Sequence, residues 1–207
     1  MKNYLRIPVA SAKLFWVGVF LHFLILGAGS FEHRIPLPAK IALLILSYSF
    51  CFVLYILFLS GFVYLGHRQD NRWLKFSSCL FIASIAVIPM YMAAMLIIQI
   101  LSEGSAEAGL KTAQTSPVPL FLVFALLLGP KALFGMGLLT LKSRFGARAV
   151  WAGLLEIASA VGGALTELGL AFLLFIPVFI LESKLLRRAQ EESEVQTPPQ
   201  DGRGAHE

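Results

Sequence analysis

The sequence predicts an all-α protein, a polytopic integral membrane helical bundle. The chain has 207 residues, of which 57% are hydrophobic and 14% charged, whereas soluble domains are usually about 25% charged. Its apolar residues fall in long runs that carry almost no charge. About 20 such residues cross the roughly 30 Å of hydrocarbon in a bilayer, so these runs indicate transmembrane helices.

Four of the apolar runs are predicted to be transmembrane spans from their length and lack of charge. They cover residues 14–29, 41–65, 76–101 and 118–141. Basic residues flank these runs, as is typical of helices that leave the hydrocarbon on the cytoplasmic side.

The fifth apolar region, residues 149–183, admits two interpretations. As one helix it would be about 52 Å long at 1.5 Å per residue, which is too long for a single span. Gly162 and Gly163 suit a helix C-terminus and Thr166 suits an N-cap, so a hairpin here would give spans 149–161 and 167–183. The alternative is a bundle of five spans with a long last helix, in which the glycines allow close packing.

The distribution of lysine and arginine favours six spans, because cytoplasmic loops carry an excess of basic residues. With six spans, thirteen basic residues lie inside and three outside, whereas five spans give nine and seven. Both termini would then be cytoplasmic, and we expect the plasma (inner) membrane. Residues 1–188 form the predicted bundle, and the polar residues 189–207 are predicted to be a disordered cytoplasmic tail.

The first 30 residues also resemble a secretory signal peptide. They combine a basic start, an apolar stretch and the small-residue sequence GAGS near a possible cleavage point. His22 interrupts the apolar stretch, which favours an uncleaved first span.

Polar side chains from five spans are predicted to lie at a similar depth in the membrane. Counted from the cytoplasmic end of each span at 1.5 Å per residue, Lys131 lies about 15 Å deep and Glu156 about 10 Å. His22, Tyr55 and Ser84 lie about 12 to 15 Å deep on the same scale. These five residues are the candidate substrate-binding or ion-coupling residues.

Lys131 and Glu156 are predicted to form an ion pair. They lie on consecutive antiparallel helices, which are usually neighbours, and an isolated charge at mid-membrane costs about 2.5 to 3.5 kcal/mol on insertion scales. The pair would either belong to a functional site or only hold two helices together, and a lysine can also snorkel to the interface. His22 is a candidate proton-handling group, because histidine titrates near neutrality.

Several classes of chemistry lack their usual sequence signals. The chain has no basic stripe with interleaved aromatic residues, which argues against nucleic-acid binding. Motifs of the HExxH or GxSxG type are absent, so we expect no metal and no cofactor, and an intramembrane enzyme ranks third, behind the two functions given below. Cys51 and Cys79 differ in depth by about 15 Å, which is too far for a disulfide, and they are predicted to be free thiols.

Two functions are compatible with these features. The first is a transporter or ligand-binding membrane component, with a midplane site around Lys131 and Glu156 that would suit an anionic or protonatable substrate. The second is a non-catalytic accessory subunit or assembly factor of a larger membrane complex, which an exposed small-residue face at Gly153, Ala160 and Ala164 would favour. The expected partners are the lipid bilayer and either further copies of the chain or a larger complex.

Overall fold

The computed structural model describes residues 4–29, 37–103, 117–165 and 169–195. These residues form seven α-helices and no β-strand, so the predicted all-α class is confirmed for them. The helices are α1 Arg6–Gly29, α2 Leu37–Arg68, α3 Arg72–Glu103, α4 Pro117–Leu139, α5 Lys142–Phe145, α6 Ala147–Leu165 and α7 Gly169–Val195.

The chain divides into two compact units. The first unit comprises Met1–Gly61 together with Ser183–Glu207, and the second comprises Phe62–Glu182. The candidate residues Lys131, Glu156 and Ser84 therefore belong to the second unit, while His22 and Tyr55 belong to the first.

In the first unit, α1 packs closely against α2. A Cβ atom added to Gly18 would lie 2.9 Å from Cys51 Sγ, so the glycine permits this close approach. Farther along the same two helices, the rings of Phe15 and Tyr55 lie 5.7 Å apart. Gly61 lies in a similar contact with Pro8 from the start of α1.

In the second unit, α4 packs against both α3 and α6. The α4–α6 contact is closest at Gly135 and Gly153, where a Cβ atom on either residue would lie 2.8 or 2.6 Å from the other's carbonyl oxygen. Real Cβ atoms do not approach backbone atoms this closely, so both positions require glycine. Small residues at a helix crossing let two backbones approach, which is the arrangement that membrane helices favour.

The turn between α2 and α3 is hydrogen-bonded to the end of α4. Asp70 has a positive φ of 49°, which aspartate tolerates better than most residues. Asn71 Oδ1 accepts a hydrogen bond from the backbone N–H of Leu74 at 3.0 Å, as an N-cap of α3 does. Asn71 Nδ2 also donates to Thr140 Oγ1 at 2.6 Å, which holds the end of α4 beside the start of α3.

A short helix, α5, separates α4 from α6 where the sequence suggested only a basic loop. Phe145 is buried and holds this single turn against the protein. The following Gly146 has a φ of 61°, a left-handed conformation that glycine adopts without steric cost, and the chain can then start α6.

Helix α6 is longer than predicted. We expected it to end at Val161, but it continues through Gly162 and Gly163 to Leu165. Glycine within a helix costs about 1 kcal/mol relative to alanine without ending the helix, and Gly162 is buried. The predicted N-cap Thr166 and the turn itself lie outside the described residues.

Helix α7 extends into the predicted disordered tail. It continues to Val195, so the first part of the 189–207 segment is helical. Pairs of basic and acidic side chains four residues apart stabilise this extension. They are Arg187–Glu191 at 3.0 Å and Arg188–Glu192 at 3.3 Å. The rest of the predicted tail, residues 196–207, lies outside the described residues.

Two helical segments among the described residues are long and apolar enough to cross a membrane. They are Arg6–Leu24 in α1 and Ile45–Arg68 in α2, and a shorter apolar segment, Leu126–Leu139, lies in α4. Most residues of the two long segments lie outside the protein interior.

The glycine contact between α4 and α6 leads to a stability prediction. We expect Gly135→Ala to destabilise the protein by about 1 to 3 kcal/mol, because overpacking forces the two backbones apart. Gly129 is the matched control, since it lies in the same helix with nothing within 4 Å of an added Cβ atom. Gly129→Ala should be neutral or stabilise by up to about 1 kcal/mol. Thermal unfolding in detergent measures both, and equal effects would contradict the close contact.

Candidate functional site

Lys131 and Glu156 form the predicted ion pair. Lys131 Nζ lies 2.5 Å from Glu156 Oε2, and the two side chains are 9% and 0% exposed. An ion pair this deeply buried experiences little screening by water or salt, so its two charges are strongly coupled.

The helix crossing explains how the two side chains meet. Gly135 lies four residues after Lys131 on α4, and Gly153 lies three residues before Glu156 on α6, so each glycine shares a helix face with its charged neighbour. A Cβ atom on Gly135 would lie 3.0 Å from Glu156 Cβ. The glycine contact therefore brings the backbones close enough for the lysine to reach the carboxylate.

A third ionisable residue, Glu182 of α7, completes the site. Its carboxyl group lies close enough to Glu156 to interact with it, and it also interacts electrostatically with Lys131. Glu182 is 1% exposed. The site is therefore a buried triad, formed by Lys131, Glu156 and Glu182, with two carboxyl groups and one ammonium group.

The contact between Glu156 and Glu182 also decides how α6 and α7 are arranged. In one straight helix these residues would be about 39 Å apart at 1.5 Å per residue. Their interaction therefore requires α6 and α7 to bring these two residues together instead of continuing in one straight line.

Glu182 was missed because it lies next to the basic residues of the predicted tail, where a glutamate is usually solvated. A comparison of depth along the two helices would have made it a candidate, without showing that it joins the site. Glu182 lies about 9 Å from Arg188 along α7, and Glu156 lies about 12 Å from Arg148 along α6, at 1.5 Å per residue. Two carboxyl groups at nearly the same depth on consecutive helices were a signal that they can meet.

Aromatic rings cover one side of the triad. Lys131 Nζ lies 5.8 Å from the centroid of the Phe81 ring, within the range of a cation–π contact. The Phe81 ring stacks on Phe134 at 5.4 Å, and Phe134 meets Phe62 edge to face at 5.2 Å. These rings exclude water from the lysine on this side.

Several buried polar atoms near the ion pair lack a hydrogen-bond partner among the described residues. They include Ser159 Oγ, Glu182 Oε1 and Glu156 Oε1. Ser159 is fully buried and lies three residues after Glu156, on the same face of α6. A buried hydroxyl group without a partner is costly.

The other three candidate residues have different surroundings. Ser84 is buried in the second unit, but its hydroxyl donates to the Leu80 carbonyl of its own helix at 2.8 Å. His22 Nδ1 is 2.9 Å from Ser47 Oγ within the first unit. Tyr55 lies between the rings of Phe15 and Phe58 in that unit. The structure thus joins Lys131 to Glu156, while the described contacts of Ser84, His22 and Tyr55 are with other residues.

Within the described residues, no group of three or more histidine, cysteine, aspartate or glutamate side chains is arranged to hold a metal ion. Cys51 and Cys79 are both free thiols, as their predicted depths indicated.

No protein-family model, curated protein or solved structure matches this chain. The fold and site therefore define it only as an all-helical protein with a buried triad of two carboxyl groups and a lysine.

The triad predicts an asymmetric response to substitution. Lys131→Met leaves two buried carboxyl groups with no positive charge, and we expect a loss of about 3 to 5 kcal/mol in the free energy of unfolding. Glu156→Gln should cost less, because Glu182 can ionise and pair with Lys131. The double variant Lys131→Met with Glu156→Gln should regain most of the stability.

Denaturation in detergent of the two single variants and the double variant measures this coupling. The exposed pair Arg187–Glu191 on α7 is the matched control, and its double substitution should change stability by no more than about 1 kcal/mol. The pairing is refuted if the double variant at the triad is no more stable than the worse of the two singles.

Proposed function

We propose that this chain is an integral membrane protein with six spans, which binds or transports a small protonatable solute at the buried triad. Both termini would lie in the cytoplasm and the bilayer would be the plasma (inner) membrane. The observation that carries the proposal is the burial of Lys131, Glu156 and Glu182 among apolar helices.

The distribution of apolar side chains supports the membrane assignment. Every helix except the short α5 exposes large apolar side chains, whereas the triad is buried. Examples, one per helix, are Phe23 (65% exposed), Leu46 (68%), Val87 (50%), Met136 (40%), Val161 (53%) and Leu173 (74%). An exposed apolar surface this extensive is unusual for a monomer in water and is expected for a protein in lipid.

The length of α6 supports six spans over five. With 19 residues it is about 28 Å long, close to the roughly 30 Å of bilayer hydrocarbon. The predicted fifth span of residues 149–161 would have reached only part way across. We expect α6 and α7 to be antiparallel, which would let both of them cross.

The triad supports a functional site because ionisable groups inside a membrane are costly and usually mark a substrate or ion pathway. The second carboxyl group also narrows the solute class. A lone lysine would attract an anion. Because this site has two carboxyl groups and one lysine, a solute that carries a protonatable or cationic group matches it better.

The accessory-subunit alternative is supported by one observation, the close Gly135–Gly153 packing, which gives the ion pair a structural role in joining α4 and α6. The residues of the predicted small-residue face whose side chains the structure describes are not exposed. Gly153 and Ala160 are both buried, and the side chain of Ala164 lies outside the described set.

Chemical labelling of a cysteine at position 159 tests solvent access to the triad. In a background without Cys51 and Cys79, Ser159→Cys changes one atom and leaves all three ionisable residues in place. If the triad lines a solute pathway, a charged, membrane-impermeant thiol reagent should modify this cysteine. The matched control is Ser78→Cys, because Ser78 is equally buried and its hydroxyl already donates to Leu74 O at 2.7 Å.

Labelling at position 159 but not at 78 supports transport or ligand binding. No labelling at either position would show a sealed triad and favour the accessory subunit. In the same background, Asp70→Cys, Arg144→Cys and Arg188→Cys should all label from the cytoplasmic side. An opposite side for Arg188→Cys would contradict six spans.

A further inference from the structure

The triad has an unbalanced set of charges. If Lys131, Glu156 and Glu182 were all ionised, the site would hold a net charge of −1 in a region that is almost fully buried. An unbalanced buried charge is strongly disfavoured, because the protein interior cannot replace its hydration. A single proton on one carboxyl group makes the site neutral.

The contact between Glu156 and Glu182 also indicates that one of the two carboxyl groups carries a proton. Two ionised carboxylates have no hydrogen to share, so contact between Glu156 and Glu182 becomes a hydrogen bond only if one of them is protonated. Lys131 Nζ contacts Glu156 Oε2, whereas Glu182 Oε1 has no hydrogen-bond partner among the described residues.

The geometry identifies which carboxyl group holds the proton. Lys131 Nζ contacts Glu156 Oε2 directly, so Glu156 is the carboxyl group that pairs with the lysine. Glu182 has no described contact this short with a cation, and both charged groups that act on it belong to the triad. Glu182 is therefore the neutral acid, and it donates its proton in a hydrogen bond to the Glu156 carboxylate.

The surroundings of the pair contain no other ionisable group among the described contacts. Phe81 of α3 presents an aromatic ring to Lys131, α4 contributes Lys131 itself, and α6 contributes Ser159 beside Glu156. The Ser159 hydroxyl has no partner among the described residues, and a hydroxyl can both accept and donate a hydrogen bond. It is suited to pass a proton to or from the carboxyl pair.

We propose that Glu156 and Glu182 form a reversible proton-binding site, with Lys131 as the fixed counter-charge, and that the proton is the ion coupled to solute movement. The coupling of this proton to solute movement rests on the transport function proposed above. On binding, a proton from water forms an O–H bond with the Glu182 carboxylate, and the site changes from a net charge of −1 to 0. On release the same O–H bond breaks and the proton returns to water.

Infrared spectroscopy of the full-length protein in lipid vesicles tests this directly. A protonated carboxyl group has a carbonyl-stretch band that shifts in D₂O and that ¹³C-labelled glutamate assigns to glutamate. We expect one such band near neutral pH, disappearing reversibly as the pH rises while the protein remains folded. Glu182→Gln should remove it, and Glu191→Gln, at an exposed position on the same helix, should leave it unchanged.

Two results would overturn the inference. Absence of a protonated-glutamate band in the wild-type protein would mean that both carboxyl groups are ionised. A band that stays constant over the whole pH range of the folded protein would mean a permanent structural proton. Both readings use the wild-type protein, so the test stands even if Glu182→Gln does not fold.

The infrared result is independent of the labelling result at position 159. If the infrared band titrates but Ser159→Cys is not labelled, the proton-binding site is supported and a solute pathway to the triad is rejected. If Ser159→Cys is labelled but no infrared band titrates, the solute pathway is supported and the proton-binding site is rejected.

Discussion

The need to neutralise charge inside an apolar protein governs the second unit of this structure. Three ionisable side chains, Lys131, Glu156 and Glu182, come from three different helices and are almost fully buried. None of them is stable there alone, because burial removes the water that would hydrate its charge. Each helix is therefore held in the position where its charged residue meets the other two.

The rest of the unit is consistent with this constraint. Gly135 and Gly153 let the backbones of α4 and α6 approach closely enough for the lysine to reach the carboxylate. Phe81 and Phe134 cover the lysine with aromatic surface, which strengthens the ion pair by excluding water. Asn71 and Thr140 hold the end of α4 beside the start of α3. Packing and electrostatics thus support the same arrangement of helices.

The described residues bury three charged side chains and expose many large apolar ones, a combination that is unusual for a protein folded in water. This combination links the structure to the proposed function. In a bilayer, lipid surrounds the exposed apolar side chains, whereas a charged group inside the protein must be neutralised by a partner or take part in the protein's function. Two carboxyl groups beside one lysine give the site one more acidic group than the lysine can neutralise, which distinguishes it from a simple ion pair between two helices.

The sequence by itself determined the helical class and the principal ion pair. Long uncharged runs leave no alternative to helices, and counting residues along neighbouring helices placed Lys131 and Glu156 at similar depths. The continuation of α6 through Gly162 and Gly163 could not be predicted from the sequence. A glycine ends a helix only where the tertiary structure provides other partners for the last backbone groups. Only the tertiary structure decided that Glu182 joins the site, since that contact depends on how α7 is rotated about its axis and packed against α6, and neither property is encoded in local spacing.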